Sequence, residues 1–311
     1  MSLAVGLVGC GRWGRRHLDV LKILKAAGQI DRIVVCDIDK KRLVGLGVDE
    51  VYSSASAMLS QERLNGLAVV TPPSSHFQLL TKALNHRLPT LVEKPLSQGM
   101  DQVRDAIELM DGKVTVMVGL LLRHHKGVRR IRKMIEDGSL GDIHSITYTR
   151  TTTRNRPEGA EPLTTLAIHG LDLLSWMFKT PLMTMEVFQN NVTKDSANVR
   201  VWTPTQQSGT VNVSWSSQHE QRLIHVIGSR GSTILDFGTD ELTVCQGTTS
   251  PTTEPIPSKP LEEEWKMFLQ WARLGEPHVY PEPPVLLDQA AWFHRYGRSS
   301  GQSFDGTPCE N

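Results

Sequence analysis

Three glycines mark the point near the start of the chain where an apolar run ends and a charged run begins, in the stretch LVGCGRWGRRH at residues 7–17. Glycine weakens a strand or a helix unless the backbone needs its freedom or another group must approach closely. Gly9, Gly11 and Gly14 have the spacing G-x-G-x-x-G, which permits a tight turn, close approach of a pyrophosphate, and helix–strand packing. The N terminus of the following helix would attract the phosphates. This stretch therefore predicts a dinucleotide-binding turn.

The pattern of the following hundred residues predicts strands that alternate with helices. Apolar runs typical of buried strands lie at residues 3–8, 32–36, 67–70, 90–92 and 114–118, and helix-spaced apolar residues lie at residues 12–27, 77–84 and 100–110. Such alternation requires right-handed crossovers and a parallel sheet covered on both faces. We therefore expect residues 1–120 to form a Rossmann-type, doubly wound α/β domain.

After Gly119 the pattern changes. Helices are predicted at residues 128–135, 163–178 and 261–274, a strand at residues 143–152, and strand after strand over residues 183–246. Clustered strands with helices on one side indicate an α+β domain on a largely antiparallel, open sheet, which we assign to residues 121–311. Residues 247–260 are rich in Thr, Ser and Pro and are predicted to be an exposed connection.

Composition excludes several classes of partner. The chain of 311 residues has 34 Lys and Arg against 33 Asp and Glu, so no overall charge attracts it to nucleic acid or to an anionic membrane. Its four cysteines form no CxxC pair, which argues against a zinc site or a disulfide framework. No apolar stretch reaches the roughly 18 residues of a membrane span, and the N terminus lacks signal-peptide features. We expect a cytoplasmic protein that binds a small molecule.

Asp37 follows the second predicted strand, where an acidic residue binds the adenosine ribose hydroxyls in dinucleotide-binding domains. A carboxylate pairs with two hydroxyls but repels a 2′-phosphate, so NAD is favoured over NADP. Lys40, Lys41 and Arg42 follow closely and offer charge to that phosphate, which keeps NADP open. The alternative interpretation of Asp37 is a solvated turn residue.

Two further motifs follow buried strands. Thr71, Pro72 and Pro73 end a strand at the edge where dinucleotides bind in parallel sheets, and His76 follows after two serines. The next strand runs into the sequence EKP at residues 93–95. His76 could instead simply begin a helix, and the Glu–Lys pair could be a structural ion pair.

A third motif, TTLAIHGLDLLSW at residues 164–176, is predicted to be helical. Thr165, His169, Asp172 and Trp176 would then share one face. An imidazole titrates near neutrality and commonly takes a hydroxyl proton. His169 is therefore a candidate base, the alternative being a structural histidine.

Together these motifs resemble those of the Gfo/Idh/MocA family of NAD(P)-dependent oxidoreductases, whose members mostly act on sugars, cyclitols and sugar derivatives. The resemblance extends over essentially the whole chain and includes Arg123 and the sequence LGDI at residues 140–143. It implies that Lys94 positions the substrate hydroxyl and assists proton transfer, that Glu93 holds Lys94 by charge pairing, and that His169 exchanges the proton. It implies substrate contacts for Arg123, Thr165 and Asp172. The residues it places at the cofactor are Gly9, Gly11, Arg12, Trp13, Gly14, Asp37, Thr71, Pro72, Pro73, His76, Glu93 and Lys94.

The chain departs from the family pattern at two places. Active dehydrogenases of the family commonly have Asp four residues before the histidine, whereas this chain has Thr165, which carries no charge to raise the basicity of a neighbour. Arg123 is followed by His124, His125 and Lys126 where the family often has an aromatic residue and Asn-Pro. This basic run either binds an anionic substrate group or is a solvated turn.

The expected function is hydride transfer between nicotinamide and a secondary alcohol or ketone of a sugar, cyclitol or sugar-nucleotide-like substrate, with NAD as cofactor. Two alternatives remain: a non-catalytic dinucleotide-binding regulator of the same fold, and a lyase or glycosidase that uses NAD transiently. The uncovered face of the second sheet predicts a homodimer or homotetramer.

Overall fold

The chain divides by its own contacts into two compact units. The computed structural model describes residues 3–97, 99–110, 112, 114–158, 160–189, 193–247 and 250–296. The first unit comprises Met1–Leu121 and Leu261–Ala291, and the second comprises Leu122–Pro260 and the segment from Trp292 onward. The sequence assigned residues 261–291 to the second domain, but the structure groups them with the first because Trp265 and Phe268 are buried in its core.

Within the described residues, regular elements follow one another closely. The strands, β1 to β15 in chain order, are Ala4–Val8, Arg32–Cys36, Glu50–Tyr52, Gly66–Val69, Thr90–Glu93, Val116–Gly119, Ile143–Thr151, Thr184–Gln189, Ser196–Trp202, Ser208–Ser214, Gln221–Gly228, Gly231–Asp236, Glu241–Gln246, Thr252–Pro255 and Val279–Tyr280. The α-helices, α1 to α8, are Arg12–Ala26, Ala55–Gln61, His76–Asn85, Met100–Met110, Lys126–Glu136, Ile168–Phe178, Pro260–Leu274 and Pro283–Tyr296.

The first unit is built on a parallel sheet with the strand order β15-β6-β5-β4-β1-β2-β3. Every pair of neighbouring strands in it is parallel. The order reverses at β1, and a ligand binds at the carboxyl ends of the strands beside such a switch point. This confirms the predicted Rossmann-type domain.

The helices of the first unit bury apolar stripes against the sheet. In α1 the buried stripe is Leu18, Leu21 and Leu24, at helical spacing. Helix α7 adds Trp265 and Phe268, both fully buried, to the same cluster. Because burial of an aromatic side chain of this size contributes about 3 kcal/mol or more, α7 is part of this core.

The second unit has a sheet with the order β14-β13-β12-β11-β7-β10-β9-β8. Only β7 and β10 pair in parallel among its described strands, so the predicted, largely antiparallel sheet is confirmed. Helix α6 packs closely on it: a Cβ at Gly170 would come 2.5 Å from a ring carbon of Tyr148, and one at Gly209 would come 2.4 Å from Leu174. These glycines let helix and sheet touch.

The structure also differs from the predicted elements in places. The predicted helix at residues 163–178 begins with a π-helical turn, Leu163–Ala167, before α6. The segment predicted as a connection at residues 247–260 contains the exposed edge strand β14, while residues 248 and 249 lie outside the described residues. Short or weakly patterned elements, among them β3, α2, β15 and α8, were not predicted. No helix in the described part of the chain is long and apolar enough to cross a membrane.

Candidate active site

The turn between β1 and α1 requires glycine for steric reasons. Gly9 has φ +97°, and a Cβ there would lie 2.3 Å from the carbonyl oxygen of Val70. A Cβ at Gly14 would lie 2.0 Å from the carbonyl oxygen of Gly9. By contrast, a Cβ at Gly11 would meet only the Arg42 guanidinium, at 3.6 Å. The first and third glycines therefore pack against protein, and the second leaves its surface open to a ligand.

The start of α1 is suited to an anion. Gly11 caps the helix without a side-chain hydrogen bond, and the first turn has no acidic residue. Arg12 is exposed beside it. Backbone N–H groups and the helix dipole at such a terminus bind phosphate. The residues of this turn therefore fit the pyrophosphate of a dinucleotide.

Asp37 is turned toward the glycine turn. Its carboxylate accepts hydrogen bonds from the backbone N–H of Cys10, at 2.7 Å, and of Asp39, at 2.9 Å. Arg42 lies 3.6 Å from the same carboxylate. Asp37 is only 4% exposed, so the interpretation as a solvated turn residue is wrong. Each carboxylate oxygen can accept a second hydrogen bond, so the side chain both fixes the turn and fits a ribose hydroxyl.

His76 joins two loops at the carboxyl ends of the strands. Its ring nitrogens lie 2.8 Å from the carbonyl oxygens of Thr71 and Pro95. Ser75 donates a hydrogen bond to the Thr71 hydroxyl at 2.7 Å. Since both nitrogens of the buried His76 contact protein, its observed role is to hold the loops together rather than to contact a cofactor directly.

Glu93 ends β5 and is the centre of a buried hydrogen-bond network. Its carboxylate accepts from the Trp13 indole at 2.7 Å and contacts the His17 imidazole at 3.1 Å. The backbone N–H of Lys94 lies 3.2 Å from the other oxygen. A Cβ at Gly119 would come 2.9 Å from this carboxylate, so glycine is needed there. Trp13 therefore contacts Glu93 instead of only lining the cofactor site.

The direction of the hydrogen bonds follows from Trp265. An indole nitrogen can only donate, and that of Trp265 lies 3.2 Å from Nδ1 of His17. Nδ1 is therefore the acceptor, and the proton of the imidazole is on Nε2, which donates to Glu93. Trp265 on α7 therefore donates to His17 on α1, and His17 donates to Glu93, the residue before Lys94.

Three titratable groups in this region have displaced pKa values. Burial alone would raise the pKa of Glu93, but the hydrogen bonds from His17 and Trp13 and the charge of Lys94 lower it overall. Burial lowers the pKa of Lys94, against the opposing effect of Glu93. Glu264, fully buried on α7, has a pKa raised well above its ordinary value by burial and by the negative charge of Glu93. The surroundings thus favour the ionised form of Glu93 and the neutral form of Glu264.

The sequence motifs did not indicate His17, Glu264 or Trp265 as site residues. A signal for the first was present, because Trp13 and His17 are one helical turn apart and so share a face of α1. Glu264 lies in the apolar stripe of α7, one turn before Phe268, and is a charged residue at a core position. Such a position indicates a buried carboxyl with a specific role.

In the second unit, Arg123 and Asp172 contact each other. The guanidinium donates two hydrogen bonds to the carboxylate, at 2.9 and 2.7 Å, and the two residues are 1% and 2% exposed. The Arg123 guanidinium also lies 5.4 Å from the centre of the Trp176 ring. This differs from the prediction that both side chains face a substrate, because the buried pair ties α6 to the segment before α5.

The basic run after Arg123 does not form an anion site in the structure. His124 is buried, and its burial together with the charges of Arg129 and Arg123 lowers its pKa to about 3, which keeps it neutral. His125 is also buried and contacts Asp240 at 3.1 Å. Of this run only Lys126 is exposed. The solvated basic turn is therefore also an incorrect description.

Thr165 and His169 lie on either side of the junction between the π-helical turn and α6. Thr165 donates its hydroxyl proton to the carbonyl oxygen of Glu161 at 2.6 Å. His169 is partly exposed, whereas Asp172 faces the core. The π-helical turn changes the register, so the predicted single face of the helix does not extend over both elements.

Comparison with known proteins identifies the family to which this architecture belongs. The model of the Gfo/Idh/MocA oxidoreductase family with an NAD-binding Rossmann fold matches residues 3–120, and that of the Gfo/Idh/MocA C-terminal domain matches residues 128–234. The chain belongs to the Gfo/Idh/MocA family. The predicted family is confirmed, and the first unit is the NAD-binding Rossmann domain of a Gfo/Idh/MocA protein.

Among its relatives, inositol 2-dehydrogenase from Pseudomonas fluorescens is 27% identical over 212 residues. That alignment covers 64% of this Gfo/Idh/MocA chain and 62% of the relative, which is less than two thirds of the relative's length. An Agrobacterium radiobacter oxidoreductase, solved with NAD+, L-tartaric acid and magnesium, has a TM-score of 0.81 at 20% identity, with 98% of each chain covered. Myo-inositol 2-dehydrogenase from Lactobacillus plantarum has a TM-score of 0.82 at 16% identity, covering 99% and 100%. The solved structures support the fold.

Proposed function

We propose that this protein is an NAD-dependent oxidoreductase that interconverts a secondary alcohol and a ketone on a sugar, cyclitol or sugar-nucleotide-like molecule. The family provides the reaction type, and the relative named inositol 2-dehydrogenase supports a polyol substrate. The observation that carries the proposal is the placement of Lys94. It follows β5 at the carboxyl edge of the parallel sheet, directly after a buried and fully hydrogen-bonded carboxylate.

Lys94 has the properties of a group that acts on a substrate oxygen. Its half-buried position lowers the pKa of its ammonium, which makes proton exchange with a hydroxyl easier near neutral pH. Glu93 opposes this effect and keeps the ammonium available as a hydrogen-bond donor. The donor chain from Trp265 and His17 holds the Glu93 carboxylate, and therefore the backbone N–H of Lys94, in one orientation.

The proposed roles satisfy the balance of the reaction. Oxidation removes a proton from the hydroxyl and a hydride, with its two electrons, from the carbinol carbon; NAD+ held at the glycine turn would supply the hydride acceptor. Lys94 donates a hydrogen bond to the substrate oxygen and stabilises its developing negative charge. His169, whose imidazole is partly exposed, takes the hydroxyl proton. The glycine turn, Arg12 and Asp37 bind and orient the dinucleotide.

The test measures turnover of a panel of inositols, hexoses and nucleotide sugars. The formation of NADH is monitored by its absorbance. Lys94→Ala and His169→Ala should each lower turnover by about 10²- to 10⁴-fold with NADH affinity retained. Lys82→Ala is the matched control, because Lys82 is an exposed lysine on α3 that contacts Ser56. Unchanged turnover in Lys94→Ala would remove that residue from the mechanism.

A non-catalytic regulator is the second candidate, and Thr165 is the observation that favours it. Its hydroxyl donates to the backbone of Glu161 and carries no charge to activate a neighbour. A regulator would bind NADH in a fluorescence titration and would turn over no member of the panel. Thr165→Asp would then distinguish a site that lacks only this carboxylate from one that lacks more.

We further propose that the protein is a homodimer or homotetramer through the uncovered face of the second sheet. Phe188, Ile227 and Ile234 are 53%, 39% and 40% exposed, and by strand alternation they point away from the helix-covered side. Light scattering coupled to gel filtration measures the mass. Ile234→Lys should shift it toward the monomer, and a monomeric wild type would contradict this proposal.

A further inference from the structure

Two arginines face each other on the core side of the second sheet. Arg150 on β7 is the direct partner of Arg222 on β11. Strand alternation places Arg150 on the same side as the buried Ile146 and Tyr148, and Arg222 on the same side as Ile224. Like charges directly opposite each other destabilise a sheet, so an anion beside this pair would stabilise it.

The anion that the chain supplies is Glu220, and it is not enough. Its carboxylate lies 2.7 Å from an Arg222 nitrogen and 3.6 Å from Nη1 of Arg150. Nη1 of Arg150 is buried and makes no hydrogen bond within the described residues. Arg154, which is exposed, adds a third positive charge that acts on both Arg150 and Glu220. Among the described residues of this cluster, one carboxylate faces three guanidiniums, which leaves two positive charges in excess.

Among these charges, that of Arg150 is the one held largely away from bulk water. The Arg150 side chain is 19% exposed, and its burial and the charge of Arg222 lower its pKa. The buried Tyr148, next to Arg150 on the same face, has a pKa raised to about 12 by burial. A buried guanidinium donor without an acceptor costs free energy unless a ligand satisfies it.

The packing of α6 places this cluster at the same end of the second unit as His169. Gly170 packs on Tyr148 and Val211, while Leu174, one turn later, packs on Gly209. Since Val211 and Gly209 pair with residues 148 and 146 of β7, the helix runs from the level of Tyr148 away from Arg150. The residues before Gly170, which include His169 and the π-helical turn, therefore lie toward the Arg150 end.

We propose that Arg150 and Arg222, with Arg154, bind an oxyanion carried by the substrate, so that the substrate class is an acidic sugar or cyclitol: a sugar acid or a sugar phosphate. The proposal rests on the function proposed above and makes it more specific. The planar guanidiniums suit either oxyanion, because each can donate two parallel hydrogen bonds to it.

The experiment measures binding by calorimetry, with NADH present at saturation, and so does not depend on turnover. D-glucuronate and D-galacturonate represent the carboxylate, D-glucose 6-phosphate represents the phosphate, and D-glucose and D-galactose are the neutral partners. At least one acidic member should bind about tenfold or more tightly than its neutral partner, and NaCl should weaken only the acidic members. Comparing the carboxylate and phosphate arms shows which oxyanion is preferred.

Variants assign the preference to the cluster. Arg150→Ala and Arg222→Gln should each remove the preference, with a loss of about ten- to a hundredfold in affinity for the acidic ligand. Arg130→Ala, on the exposed surface of α5, is the control and should retain it. If Arg150→Ala does not fold, Arg222→Gln and the wild-type comparison still decide.

The outcomes separate this inference from the proposed function. Equal affinity for acidic and neutral partners in every pair, or an acid preference that survives both variants, overturns the inference. Turnover of neutral sugars without an acid preference supports the oxidoreductase and overturns the inference. Acid binding that depends on Arg150 and Arg222, without NADH formation from any neutral or acidic sugar, supports the oxyanion site and overturns the oxidoreductase.

Discussion

Replacing Glu264 by Gln should change the pH dependence of stability more than stability itself. Glu264 is fully buried, and its pKa is raised well above the ordinary value of 4.5 by burial and by the charge of Glu93. The folded protein therefore holds a proton on this carboxyl at a pH where the unfolded chain releases it. A glutamine has the same shape and is neutral at every pH, so Glu264→Gln removes this linkage.

The sign and size follow from proton linkage. Above pH 4.5 the folded state binds more protons at this site than the unfolded state, so the site lowers stability as the pH rises. The slope is about 1.4 kcal/mol per pH unit up to the raised pKa of the folded state. As the pH rises from 5, the wild type should therefore lose stability relative to Glu264→Gln.

The assay is urea unfolding of both proteins at a series of pH values from 5 to 8, followed by fluorescence and circular dichroism. The comparison uses the change of the unfolding free energy with pH and not its absolute value. Exchanging the carboxyl hydroxyl for an amide adds a pH-independent amount to that free energy. Glu263→Gln is the matched control, since the Glu263 side chain is 33% exposed and pairs with Lys266 at 3.3 Å. Parallel profiles of unfolding free energy against pH for the wild type and Glu264→Gln would refute a raised pKa for Glu264.

The remaining predictions concern the cofactor turn and the residue that acts on the substrate. Gly14→Ala would place a Cβ 2.0 Å from a backbone carbonyl, so we expect a lower melting temperature, a loss of about 2 kcal/mol, and weak NADH binding by fluorescence titration. Asp37→Ala should weaken NAD by about tenfold or more and NADP less, because Arg42 is released for a 2′-phosphate; equal dissociation constants before and after the change would contradict this. Glu93→Gln removes the negative charge that raises the pKa of Lys94, so the limb of the kcat–pH profile that depends on Lys94 should move to lower pH.

Local patterns were sufficient to predict the parallel sheet and its glycine turn. The alternation of strands and helices from β1 to β6 is visible in short windows, and the glycine spacing identifies the turn because the steric reasons for Gly9 and Gly14 act within a few residues. Asp37 was correctly expected at the end of β2. That its carboxylate binds Cys10 depends on the path of the chain between them, which periodicity does not describe.

The rest of the site depends on contacts between residues that are distant in the chain. Trp265 meets His17 across 248 positions, and Arg123 meets Asp172 across 49. A helical pattern shows that a residue is on a buried face, but not which polar partner it meets there. The resemblance supplied Lys94 and His169 but not the network behind Lys94, and the roles of both residues stay predictions.

The return of the chain to the first unit has a consequence for biosynthesis. Leu261–Ala291 supplies Trp265 and Phe268, both on α7, to a core whose remaining residues lie mainly in the first 121 residues. Residues 1–121 alone therefore cannot complete this core, and His17 gains its Trp265 partner only after residue 265 has been synthesised. The first unit can finish folding only after the whole intervening second-unit segment, Leu122–Pro260, has been translated.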